Sequence, residues 1–199
     1  MGYTFTNTAA TTAAVANRIV TSANMKVGTY TIANASPVWA GGAFITVTHT
    51  QVGGVTDTLG TIAIVGTNLN GQAISETITP LDGTVATSSK VFRSVTSVTG
   101  AGWVVDTTAD TIVVGVAAGN IVAASGGSIG GVLVNNSVAA TIVLSDARGT
   151  IITVPASQAA GTYYNLNGVD FSGYLKVATT STNDVTVFHT PTFPIFATA

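Results

Sequence analysis

The sequence has 199 residues, no cysteine, and only 7% charged residues, six Lys plus Arg against eight Asp plus Glu, where globular domains carry ~25%. These totals exclude a disulfide framework, a thiolate zinc site and a cysteine nucleophile, and so few cations exclude the basic density that nucleic-acid binding needs. No run approaches ~18 apolar residues, so no membrane-spanning helix is expected, and a surface of Thr, Ser, Asn, Ala and Gly suits a protein packed against others.

In chain order, the first 25 residues repeat Thr, Ala and Asn, with Tyr3 and Phe5 near the front and an apolar patch at Ile19 and Val20. No 3.6-residue stripe emerges, and Met1 leads into GYTFTNTAATTAAV without the basic and apolar regions of a signal peptide. Residues 1–27 therefore read as an extended N-terminal arm, lying on a neighbouring subunit or on its own domain. From Gly28 the pattern turns to strands. TYTIA at 29–33 alternates, and so does FITVTHT at 44–50, with Ile45, Val47 and His49 on one face.

GTIAIVGTNLNGQAISETITPLDGTVATSSKVF, from Gly60 to Phe92, is the clearest local signal. Strands at 61–66 and 73–79 fold over Asn68-Leu69-Asn70-Gly71, whose Asn and Gly tolerate the positive φ of tight turns, and a third strand opens at Lys90. Ile74, Glu76 and Ile78 share one face, and Val91, Arg93 and Val95 another, so each apolar face carries one charge. Two arrangements answer this: antiparallel neighbours with Glu76 and Arg93 paired across them, or both charges on the solvent face. Trp103, in the glycine-led loop 100–109, is a cap on its own sheet or a recognition aromatic. The strand at 110–116 closes a first domain, 28–117, and the small residues of 117–128 mark a boundary.

A second domain, 129–190, restarts with IGGVLVN and contains a hairpin, TIVLS and TIITV, over Asp146-Ala147-Arg148-Gly149. Further strands at 161–166, 174–180 and 184–190 follow at intervals of ~10 residues, the rhythm of a small sandwich. The tail 191–199, PTFPIFATA, carries Phe193, Ile195 and Phe196, which need cover. The expected fold class is all-β: two tandem antiparallel β-sandwich or barrel-like domains with an extended N-terminal arm and a short C-terminal tail.

Reactive constellations are not evident. The two histidines, His49 and His189, both read as structural members of strands, and no H-x-x-x-H pair, EF-hand loop or P-loop is present. Asp106 and Asp110 flank a Thr-rich turn, as caps or as ligands of a shared Ca²⁺. No catalytic residue, cofactor or metal site is assigned. The residues expected to bind partners are Tyr3, Phe5, Ile19, Val20, Phe193, Ile195 and Phe196.

At 57–78 (DTLGTIAIVGTNLNGQAISETI), 89–97 (SKVFRSVTS) and 110–115 (DTIVVG) the chain resembles a module of tailed-bacteriophage virion structural proteins, in which a G-T-[ND]-x-[ND]-G hairpin leads into S-E-T and K-x-F-x-x-V strands. The second half, through GGVLVN, GTYY and DVTVF, is similar to another small β module of such proteins. The resemblance implies a non-enzymatic virion component, assembled in the host cytoplasm. A capsid decoration or cement protein that binds the major capsid protein is the first expectation, with a homo-oligomer among its partners and neither nucleic acid nor membrane. A neck or tail subunit is the alternative. A carbohydrate-binding host-attachment module, with Trp39, Trp103 or Tyr163-Tyr164 as stacking platforms, is the third.

Overall fold

The computed structural model describes residues 4–8, 14–34, 38–52, 57–105, 108–179 and 183–191, and within them the chain forms strands and no helix. It divides into two compact units, one of residues 14–118 and one of residues 1–13 with 119–199. The first is thus inserted into the second, where a tandem pair was expected.

The inserted unit is built from β2 (Val15–Asn24), β3 (Gly28–Thr29), β4 (Val38–Thr50), β5 (Thr61–Thr67), β6 (Ala73–Ile78), β7 (Val85–Ala101) and β8 (Thr111–Val116). These form one antiparallel sheet in the order β2-β8-β4-β7-β5-β6, with β3 beside β7. The long strand β7 organises it. Its first half pairs with β4 and its second half with β5, from Thr61↔Ala101 to Thr67↔Ser94. One core, including Ile19, Ile45, Ile64, Phe92, Trp103 and Ile112, draws on every part of the sheet. The β5–β6 hairpin forms over the expected turn. Asn68 Oδ1 accepts the Asn70 and Gln72 amides at 3.0 and 2.9 Å, and Gly71 takes φ +77°.

The discontinuous unit is a two-sheet sandwich. One sheet runs β1-β15-β10-β13, made of β1 (Thr4–Thr8), β15 (Val185–Pro191), β10 (Gly127–Val134) and β13 (Tyr163–Phe171). The other runs β12-β11-β14-β9, made of β12 (Gly149–Val154), β11 (Ile142–Asp146), β14 (Leu175–Thr179) and β9 (Asn120–Ala123). Alternate residues of both enter a shared core, with Ile129, Val132 and Val187 from one sheet and Ile142, Leu144 and Leu175 from the other. Among the described residues no sheet closes into a barrel.

Two expectations are corrected here. There is no arm through residue 27. Residues 15–24 are β2 in the inserted unit's sheet, and Ile19 and Val20, expected to meet a partner, are 0% and 1% exposed in that unit's own core. The pairing of β2 with β8 shifts register between Val15 and Val20 and again between Val20 and Ala23, which erases the period-two pattern by which a strand is recognised. Nor are the strands bearing Glu76 and Arg93 neighbours, because β5 lies between β6 and β7. The β5–β7 register jumps from Val65↔Ser97 to Gly66↔Val95, leaving Thr96 as a bulge that changes which residues face inward. Phe92 and Val95 are buried and Arg93 is exposed.

Candidate functional site

The largest gathering of ionisable side chains among the described residues centres on His49. Its position follows from the ladder. His49 stands opposite Ile112 in the β4–β8 pairing, so Asp110, two residues before Ile112, is its diagonal neighbour on the same face. Ile45 and Val47 precede His49 on that face and are fully buried, and His49 is 0% exposed. A polar ring in that position must be hydrogen-bonded within the protein. Its Nε2 lies 2.9 Å from Asp110 Oδ2 and its Nδ1 lies 3.1 Å from Asp82 Oδ1.

The second carboxylate comes from the tight turn Leu81 to Thr84, where Gly83 takes φ +61° and His49 and Asp82 form an isolated parallel bridge. Asp110 also accepts the amide of Val52 at 2.8 Å and that of Asp57 at 3.4 Å, while its own amide donates to Asp57 Oδ2 at 2.9 Å. Asp57 and Asp110 therefore each receive the other's backbone N–H. Burial by itself pushes the Asp110 carboxyl up. The Val52 amide, the His49 ring and the Asp57 amide together outweigh burial and hold it below the ordinary carboxylate range.

A general base needs a ring nitrogen free to meet a substrate proton. Here both nitrogens of His49 face carboxylates, and the group clasps the end of β4, the 81–84 turn and the start of β8. Among the described residues no set of three or more His, Asp or Glu is arranged to hold a metal ion. The shared Ca²⁺ envisaged for Asp106 and Asp110 has one partner outside the described residues, Asp106, and the other, Asp110, committed to His49.

The discontinuous unit has its own buried carboxylate, Asp146, at the β11–β12 turn. It accepts the amides of Arg148, Gly149 and Ser172 at 2.7, 3.2 and 2.8 Å, and Arg148 Nη2 lies 2.9 Å away. Burial raises this carboxyl, and the Ser172 and Arg148 bonds with the guanidinium charge bring it below its usual value. His189, on β15, is buried with its ring edge toward Phe171 at 6.4 Å, and desolvation lowers its pKa.

Glu76 and Arg93 do not come together. Glu76 Oε1 accepts the amide and hydroxyl of Ser89 at 2.7 and 3.0 Å, and Oε2 accepts the amide of Lys90 at 2.9 Å. It ties β6 to the first half of β7 across the face of the sheet. Among the other expected residues, Phe5 lies in β1 opposite Phe188, and Tyr3, Phe193, Ile195 and Phe196 fall outside the described residues. Trp103 is 6% exposed in the core, which removes it as a stacking platform. The side chain of Trp39 also falls outside the described residues, and Tyr163 is half exposed with its ring edge-on to Phe188.

The His49 cluster was missed in the sequence because its members are far apart in the chain. The signal available was His49 itself, a polar residue in register with Ile45 and Val47 and so in need of buried partners. Comparison of the chain with protein-family models, curated proteins and solved structures finds nothing that matches.

Proposed function

We propose that this protein is a non-enzymatic structural component of a bacteriophage virion, a capsid decoration or cement protein seated on the major capsid protein. The observation that carries the reading is where β1 begins and β15 ends. In the β1–β15 ladder Thr4 stands opposite His189, so β1 begins and β15 ends at the same end of one sheet. In the sequence Tyr3 precedes β1, and Phe193, Ile195 and Phe196 follow β15. Two short segments tethered at that one end can engage one partner surface together, and linked weak contacts gain affinity that neither has alone. The sparse charge of the chain supports the same reading, since a weakly solvated surface costs little to bury. The resemblance of the central hairpin to virion modules supplies the kind of partner.

The test is reconstitution with the shell from the same genome. Decorated shells should outlast bare ones under heat and pressure, and a chain carrying F193S, I195S and F196S should lose shell binding while keeping its circular dichroism. Equal endurance of bare and decorated shells sinks the proposal. A count of six or twelve copies per particle instead of hundreds moves the protein to the neck or tail.

A further inference from the structure

The strand β1 is attached to its unit in an unusual way. Among the described residues it pairs only with β15, at the edge of the four-stranded sheet, and the next strand in the chain, β2, belongs to the other unit. Between them lie residues 9–13, Ala-Ala-Thr-Thr-Ala, followed by Ala14, with none of the Gly, Pro, Asn or Asp that set tight turns. The edge that β1 covers belongs to a core strand. Val185 and Val187 of β15 are 1% and 0% exposed, and an unpaired edge beside such residues invites another strand.

We propose that β1 is an exchangeable strand: in assemblies of this protein, Thr4–Thr8 of one copy occupies the β15 edge of a second copy. Exchange remakes every main-chain hydrogen bond of the ladder with identical partners, so the contacts themselves do not distinguish the two arrangements. The balance is set by the connecting segment and by concentration. A connection without turn-forming residues gives the strand no local reason to return to its own unit. Low net charge, −2 over the whole chain, leaves little repulsion between copies. This inference concerns copies of this chain alone and does not rest on the virion reading.

The absence of cysteine makes the test direct. Asn7 and Thr186 are register partners, and cross-strand partners stand within disulfide reach. A chain carrying N7C and a mass-tagged chain carrying T186C are mixed in denaturant, refolded together and oxidised. Exchange makes the mixed N7C–T186C dimer the dominant covalent product, above either homodimer. If the double variant N7C/T186C instead gives only closed monomers at every concentration, and the mixture gives no excess of heterodimer, the proposal is overturned. Sedimentation of the unaltered chain guards against a folding defect of the variants. The expected result is concentration-dependent association that an excess of synthetic peptide 1–13 reverses, and a chain that remains monomeric throughout overturns the exchange as well.

Discussion

Asp110 and Asp146 are both buried carboxylates at the end of a strand, one in each unit, yet they are satisfied from different distances along the chain. Asp146 takes two of its amide donors, and its guanidinium, from residues within three positions, with Ser172 as the one distant partner. Asp110 takes all of its donors from residues more than fifty positions away, His49, Val52 and Asp57. A turn can hold its own aspartate before the rest of the fold exists. Asp110 is satisfied only once β4, β8 and the connection between β4 and β5 are already in place, so its bonds report the completed tertiary structure.

The largest effect should come from breaking the long-range set. Asp110→Ala leaves His49 and the amides of Val52 and Asp57 short of an acceptor, and removing one partner of a buried pair costs about 3–5 kcal/mol. Asp146→Ala exposes a turn whose Arg148 is already solvated, and should cost about 1–2 kcal/mol. The two can be read separately because both tryptophans, Trp39 and Trp103, lie in the inserted unit. Urea unfolding followed by tryptophan fluorescence should shift by about 1.5–2.5 M for Asp110→Ala, taking a slope of ~2 kcal/mol/M. It should scarcely move for Asp146→Ala, whose loss appears in the circular dichroism of the remaining transition. Equal shifts of the fluorescence midpoint would erase the distinction.

The same contrast explains what was legible beforehand. The two hairpins, over Asn68–Gly71 and Asp146–Gly149, were readable because turn chemistry is written in adjacent residues. So was the all-β class, from runs of Val, Ile and Thr. The inward face of Ile45, Val47 and His49 was readable too, since period-two alternation survives wherever a ladder is regular. What failed was non-local. The bulge at Thr96 reversed the faces of β7, the register shifts of β2 hid a core strand among Ala, Thr and Asn, and no local pattern announces that a chain begins in one unit and builds another first. The partners of His49, Asp82 and Asp110, are brought to it only by the fold of the chain.

A second prediction sets the units against each other in pH. Asp110 and Asp146 have depressed folded pKa values, so each contributes stability that is present above the ordinary carboxylate range and is lost as pH falls through the depressed value. His189 also titrates lower in the folded state, because its buried ring resists the charge. The unfolded chain then binds a proton first, near its ordinary value of 6.5, and the contribution is lost as pH falls below that point. The discontinuous unit should accordingly begin to lose stability at higher pH than the inserted one. His189→Gln should flatten the decline between about pH 6.5 and 5 while leaving the carboxylate limb, below about pH 4, in place. A decline that starts at one pH in both units would remove the asymmetry.

Gly66 sharpens the comparison within the inserted unit. At the β5–β7 bulge a Cβ on Gly66 would collide with the carbonyl oxygen of Ser94, which is backbone and cannot swing aside. Gly66→Ala should cost about 1–3 kcal/mol. At Gly131 of β10, beside the register shift in the other unit, the nearest atoms are the hydroxyl end of the Tyr163 ring, which can move, though the Tyr164 carbonyl stands 2.6 Å away. Gly131→Ala should therefore be the milder of the two, measured as above.

The smallest effects separate the two accounts of Glu76. If Glu76 and Arg93 were a cross-strand pair, removing either would give similar losses and a double-mutant cycle would show coupling. The geometry says otherwise. The Glu76 carboxylate holds the amides of Ser89 and Lys90, so Glu76→Ala frees two backbone donors at the bend of β7 and should cost about 1 kcal/mol after allowance for its partial exposure. Arg93 points out from the bulged strand into solvent, and Arg93→Ala should stay within about 0.5 kcal/mol of the parent. The decisive quantity is the coupling energy between the two substitutions. A value near zero leaves Glu76 as a tie across the face of the sheet, and about 1 kcal/mol would restore the ion pair.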